Sequence, residues 1–83
     1  MSVDYSQLRS LTARKLATAL LADGFIFRRQ RGSHRRYRHP DGRCVTLTFH
    51  HAGDCFPLPT LRSIIGRQAC WTDADLRRLG LIS

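Results

Sequence analysis

The sequence predicts a small α+β fold of order α-β-β-β-α-α, a three-stranded antiparallel meander with helices on one face. Three observations carry this. A helical period follows Thr12, three short strand-like segments separated by tight turns come next, and two further helix starts are marked by Pro59 and Thr72. With 83 residues and 42% hydrophobic content, one domain over residues 1–83 with a modest core is expected.

Thr12 is suited to cap the first helix, because its hydroxyl can accept from an orphan first-turn amide. Ala13, Leu16, Ala17, Leu20 and Leu21 then keep the i, i+3, i+4, i+7, i+8 spacing of one buried face. Gly24 supplies the left-handed residue that stops it, and Tyr5, Leu8 and Leu11 indicate an earlier turn. In "FIFRRQ", Phe25 and Phe27 alternate with Ile26 and Arg28, the pattern of a half-buried strand. Arg31-Gly32-Ser33 reads as a turn and "HRRYRH" as the second strand, with Tyr37 its one aromatic. Pro40-Asp41-Gly42 makes the next turn. In the third strand Val45, Leu47 and Phe49 point one way and Cys44, Thr46 and Thr48 the other. "HHAGDCFPL" is a loop. Pro59 then opens a helix with Leu61, Ile64 and Ile65 as its apolar stripe. Thr72 begins a last short helix through a capping box with Asp75, Trp71 stapling onto Leu76, and Leu79, Gly80 and Leu81 finish it.

The charge balance limits function. Fourteen Lys and Arg against six acids give +8, and every cation except Lys15 is arginine. The guanidinium fork matches phosphate, so a basic domain of this kind is expected to meet nucleic acid, although arginine richness also follows from a GC-rich genome. No apolar run is long enough to span a bilayer, and "MSVDYSQLRS" lacks the order of a signal peptide, so a cytoplasmic protein with no membrane partner is expected. Cys44, Cys55 and Cys70 are odd in number and far apart, which indicates neither a disulfide framework nor a zinc site. Cys44 and Cys70 are expected to be small, partly buried residues.

Candidate chemistry concentrates in "RQRGSHRRYRHPDGR", where six arginines and two histidines fall within residues 29–43. The chain has no glutamate, and Asp4, Asp23, Asp41, Asp54, Asp73 and Asp75 have local explanations or stand apart, so no metal site is expected. Adjacent His50 and His51 are a poor ligand pair, and Ser33-His34 has no assignable third member of a triad. What is left is His34 among phosphate binders. RNA carries its own nucleophile, the 2′-hydroxyl, so a base that titrates near neutrality and cations to stabilise the phosphorus centre suffice, without a cofactor. Arg31, Arg35, Arg36 and Arg38 are the candidate phosphate contacts. Strand alternation puts His34, Arg36 and Arg38 on one face and Arg35, Tyr37 and His39 on the other, which favours Arg36 over Arg35 as a partner of His34. Arg28 and Arg29 read as solvated edge-strand charges.

The ordered features "DGF", "RQRGSH", "RHPDGR", a histidine after the third strand and "TLRSI" resemble the HicA-type mRNA interferase toxins of bacterial toxin–antitoxin modules, over roughly residues 12–76. The resemblance implies a double-stranded-RNA-binding-like α-β-β-β-α fold, here with an extra short C-terminal helix. It implies a metal-independent ribonuclease whose essential histidine is His34, with Gly32 shaping the turn, while Gly32 and Ser33 are themselves candidate RNA contacts. His50 matches the later histidine, as an accessory residue. Implied partners are mRNA and a HicB-type antitoxin, and a homo-oligomer is left open. The rival from another class is a non-catalytic double-stranded-RNA-binding module, which needs the same fold and charge but not His34. A third is a small protein whose basic face binds an acidic partner.

Overall fold

The computed structural model describes residues 3 and 5–83, so Asp4 lies outside the described residues. Thr12 caps α1 (Ala13–Ala22) from an extended backbone, its hydroxyl accepting the Lys15 amide at 3.2 Å. The loop after the sheet docks here too, since the Ala13 and Arg14 amides donate to the carbonyls of Asp54 and Ala52 at 2.8 and 2.9 Å. At the other end the Gly24 amide returns to Leu21 at 3.1 Å and the Phe25 amide to Leu20 at 2.9 Å. That double closure needs a left-handed residue, and Gly24 has φ +104°. A Cβ there would also meet the His39 ring at 2.9 Å, so glycine is required for space as well as conformation. The early turn is a 3₁₀ segment, Tyr5–Leu8, with Leu8 and Leu11 buried.

Three strands follow, β1 (Ile26–Arg31), β2 (His34–Arg38) and β3 (Cys44–Thr48), in spatial order β1-β2-β3 with both pairings antiparallel. Phe25, Tyr37, Val45, Leu47 and Phe49 share one core with Leu16 and Leu20 of α1 and with the later helices. The other face is uncovered, and His34, Arg36, Arg38, Cys44 and Thr48 are exposed on it. This is the predicted α+β order with its open three-stranded sheet.

The second helix departs from a regular winding. α2 (Leu58–Arg62) has Pro57 as its cap and Pro59 in its first turn, then continues as a π-helical segment, Ser63–Gln68. Leu61, Ile64 and Ile65 are buried as their spacing predicts. In this wider winding Gln68 reaches the edge of β3, where it accepts the Thr46 amide at 2.8 Å and donates to Ser63 Oγ at 3.1 Å. An edge-strand donor is thereby satisfied. The last helix, α3 (Asp73–Arg78), forms the predicted capping box: Thr72 Oγ1 accepts from the Asp75 amide at 3.3 Å, and Asp75 Oδ2 accepts from the Thr72 amide at 2.9 Å. Trp71 and Leu76, the staple residues, are both buried.

The cysteines correct an expectation. Cys44 and Cys70 are exposed rather than partly buried, as is Cys55. Cys44 stands on the uncovered sheet face. Cys70 follows the π-helical segment at φ +56°, so its backbone rather than its burial is unusual.

Candidate nucleic-acid interface and active site

The first strand contains a conflict of parity. Phe25, Phe27, Arg29 and Arg31 are all odd-numbered, so an unbroken strand would turn both arginines towards the core with the phenylalanines. A β-bulge resolves it. Phe27 pairs with Tyr37 and Arg29 with Arg36, so Arg28 is the extra residue, and the phase of the strand reverses there. Phe25 is buried and Phe27 packs edge-on against Tyr37, ring centroids 5.6 Å apart. Beyond the bulge Arg29 and Arg31 face the open side, opposite Arg36 and His34.

The β1–β2 turn sets the register. Arg31 belongs to β1, which leaves Gly32 and Ser33 as a two-residue loop. Gly32 has φ +59°, and a positive first loop residue followed by a negative second one suits the twist of the strands. Gln30 Nε2 donates to the Gly32 carbonyl at 2.9 Å, and the Phe49 amide donates to Ser33 at 3.2 Å. His34 is consequently the first residue of β2, paired with Arg31 on one side and Thr48 on the other. Arg29, Arg31, His34, Arg36 and Thr46 line an open hollow of about 400 Å³.

Its electrostatics are one-sided. Arg29 lies directly opposite Arg36, a like-charge pair that costs the sheet stability unless an anion separates the two. Among the described residues Arg28, Arg29, Arg31, Arg36 and Arg38 make no ion pair. The described carboxylates are engaged elsewhere: Asp73 with Arg77, Asp75 with Arg78, Asp41 with Arg43, and Asp54 with the amides of His50 and His51. A phosphodiester entering the hollow therefore meets uncompensated positive charge. Among these residues no three His, Cys, Asp or Glu side chains form a metal-holding group, and no helix is long and apolar enough to cross a membrane.

The other arginines of the run do different work. Arg35 turns to the inner side, its guanidinium 4.6 Å over the Phe49 ring and its Nε buried without a partner, so the structure does not bring it to His34. Burial pushes the neighbouring Tyr37 hydroxyl above its ordinary value, with Arg35 opposing only in part. The "HPDGR" segment is structural. His39 Nε2 donates to the Asp23 carbonyl at 2.9 Å, and its Nδ1 lies 3.1 Å from both the Asp41 amide and the Asp41 carboxylate. Arg43 donates to Asp41 at 2.8 Å, to the Ala69 carbonyl, and to Asp23 at 3.2 Å, and it lies 4.9 Å over Phe25.

Asp23, read from sequence as an isolated acid near a helix end, is a hub. Its carboxylate, 8% exposed, also accepts Trp71 Nε1 at 2.9 Å and Arg78 at 2.6 Å. It thus ties the end of α1 to the β2–β3 turn and to α3. Burial alone would raise its pKa, but the bonds from Trp71 and Arg78 and the charge of Arg43 outweigh this and hold it below the ordinary value.

The sequence-predicted residues therefore divide. Arg31, His34 and Arg36 meet in one hollow, Gly32 and Ser33 form the turn that places them, and Arg38 stands further along the same face. His50 is exposed beyond β3 and does not line the hollow. Arg29 and Thr46 were missed. The parity conflict was a signal for Arg29, whereas alternation gives only the face of Thr46, whose place in the hollow depends on pairing with Arg36.

Comparison with curated proteins finds no match. The family model described as "HicA toxin of bacterial toxin-antitoxin" matches residues 13–71, most of the chain, from the start of α1 through all three strands to Trp71. Membership at that extent implies an antitoxin partner, and the chain belongs to the HicA toxin family of bacterial toxin–antitoxin modules.

Proposed function

We propose that this toxin is a metal-independent endoribonuclease that cleaves mRNA, with His34 as the general base and a HicB-type antitoxin as its inhibitor. The observation that carries the reading is the placement of His34 in a hollow ringed by Arg29, Arg31 and Arg36 on an otherwise uncovered sheet face. Neutral His34 takes the proton of the 2′-hydroxyl, whose oxygen attacks the adjacent phosphorus. The bond to the 5′-oxygen breaks, that oxygen takes a proton from the solvent that fills the open hollow, and a 2′,3′-cyclic phosphate and a 5′-hydroxyl result. The arginines stabilise the negative charge that builds on the phosphorus oxygens. Among the described residues His34 has no side-chain hydrogen-bond partner, so strand register and the Gly32-Ser33 turn alone aim its ring. An antitoxin that presents carboxylates to the same face would imitate RNA and exclude it.

The test is RNA cleavage by the purified protein and by His34→Ala, both in excess EDTA, with folding followed by circular dichroism. The reading requires that wild type cuts and the folded variant does not. Binding by both without cleavage by either would sink the enzymatic reading in favour of an RNA-binding module. Equal cleavage by both would remove His34 from the mechanism.

A further inference from the structure

Beyond the hollow at His34, two more open on the same sheet face and share walls with it. The second, about 430 Å³, is lined by Arg28, Arg29, Arg36, Tyr37, Arg38 and Cys44, so it shares Arg29 and Arg36 with the first. The third, about 200 Å³, has Arg28 and Arg38 in its wall together with Ile26, His39 and Pro40, so it shares Arg28 and Arg38 with the second. The three lie in one row along β2, from His34 to Arg38 and past it. That distance is about 13 Å at roughly 3.3 Å per residue. Each boundary between hollows is an arginine pair drawn from neighbouring strands, with no ion-pair partner among the described residues.

We infer that this row is a phosphate track that holds one RNA strand by its backbone, with the scissile phosphate in the first hollow and the two neighbouring phosphates in the second and third. The inference rests on the ribonuclease reading for the choice of RNA, and it adds how that RNA is held, as one strand gripped by its backbone without regard to base sequence. Two features carry that addition. Among the described residues no Phe, Tyr or Trp ring is exposed in the row: Tyr37, in the wall of the second hollow, is 4% exposed, Phe25 and Phe49 are buried, and Phe27 packs on Tyr37, which leaves only the imidazoles of His34 and His39. Base-stacking platforms need exposed Phe, Tyr or Trp rings, so recognition is left to phosphate. A single row of hollows also meets one strand, whereas a duplex is read across successive grooves over about 16 base pairs. In-line attack by a 2′-hydroxyl further needs a backbone free to leave helical geometry, as a single strand is. The bulge at Arg28 is then a functional device, because it turns Arg29 onto the track and sets the extra arginine, Arg28, in the wall between the second and third hollows.

Binding of 2′-O-methyl RNA, which lacks the attacking hydroxyl, tests this on the intact protein by fluorescence anisotropy. Single strands of about two to eight nucleotides cover the range. Affinity should rise until three phosphates are engaged and then level off. Its logarithm should fall against the logarithm of salt concentration with a slope near −2, about 0.7 for each phosphate. The Arg28→Gln/Arg38→Gln variant, checked for folding by circular dichroism, should lose the gain from the longer strands and about 0.7 to 1.4 of the slope. Arg28→Lys/Arg38→Lys should keep most of both. Arg14→Gln/Arg67→Gln, which removes an equal charge off the track, should change neither. The track is overturned by affinity independent of length, by wild-type behaviour of the Gln variant, by duplex bound more tightly than single strand, or by a tenfold difference between homopolymers. Failure of the ribonuclease reading looks different: the length and salt dependence persist, but wild type leaves unmodified RNA uncut.

Discussion

Replacing Asp23 by alanine removes the acceptor on which α1, the β2–β3 turn and α3 converge. The magnitude follows from what each donor loses. Trp71 Nε1 is in a residue only 3% exposed and has Asp23 as its partner, so its loss leaves a buried donor unpaired, at about 1–3 kcal/mol. Arg43 keeps Asp41 and the Ala69 carbonyl and loses one charged bond, which adds about 1 kcal/mol. Arg78 is half-exposed and keeps Asp75, so its loss adds little. Asp23→Ala should therefore cost about 2–4 kcal/mol, a large part of the stability of a domain this size. Urea unfolding measures it. In a Trp71→Phe background, where the indole donor is already gone, the same substitution should cost about 1–3 kcal/mol less. A loss below about 0.5 kcal/mol, or equal losses in both backgrounds, would refute the account of Asp23 as a hub. The pH dependence adds a second arm. Because the folded pKa lies below the ordinary 3.8, the contribution of the carboxylate is complete above that value and disappears as pH falls through the folded one. Asp23→Asn should flatten the dependence of stability on pH below about pH 4 while leaving its shape near neutrality unchanged.

Three other outcomes are expected. Gly32→Ala meets no atom within 4 Å of its new Cβ, so its cost is conformational, about 1–2 kcal/mol from φ +59°, and cleavage should fall because the turn aims His34; unchanged stability and kinetics would contradict this. Arg36→Met should reduce cleavage at least tenfold, while Arg35→Met, on the inner face, should retain cleavage near wild type; the reverse ranking in a side-by-side RNA assay would mean the faces are assigned wrongly. Cys70→Gly relieves a left-handed φ of +56° at an exposed position and should raise stability by about 0.5–1 kcal/mol in thermal unfolding.

Much of the fold is visible in local sequence because its causes are local. Thr12 and Thr72 cap the amides three residues away, Gly24 closes α1 by its own backbone freedom, and the alternation of residues 44–49 gives the buried face of β3. His34 and Arg36 could be placed together for the same reason, since residues two apart in a strand share a face. Tertiary structure decided the rest. The parity of residues 25–31 shows a conflict but not where the strand resolves it, so Arg29 joined the hollow only through the bulge opposite Tyr37 and Arg36. Thr46 arrived through pairing, and the π-helical winding that lets Gln68 cap its amide has no local signature in "SIIGRQ". The arginine run is the clearest case. By composition its members are alike, yet Arg29, Arg31, Arg36 and Arg38 stand unpaired on the open face, Arg35 stacks on Phe49, and Arg43 bolts the turn to Asp23. Sequence determined that a dense guanidinium charge would be there. Which guanidinium faces solvent, and which a buried carboxylate, depended on Asp23 and Trp71, which are 48 residues apart in the chain and meet only when the core closes.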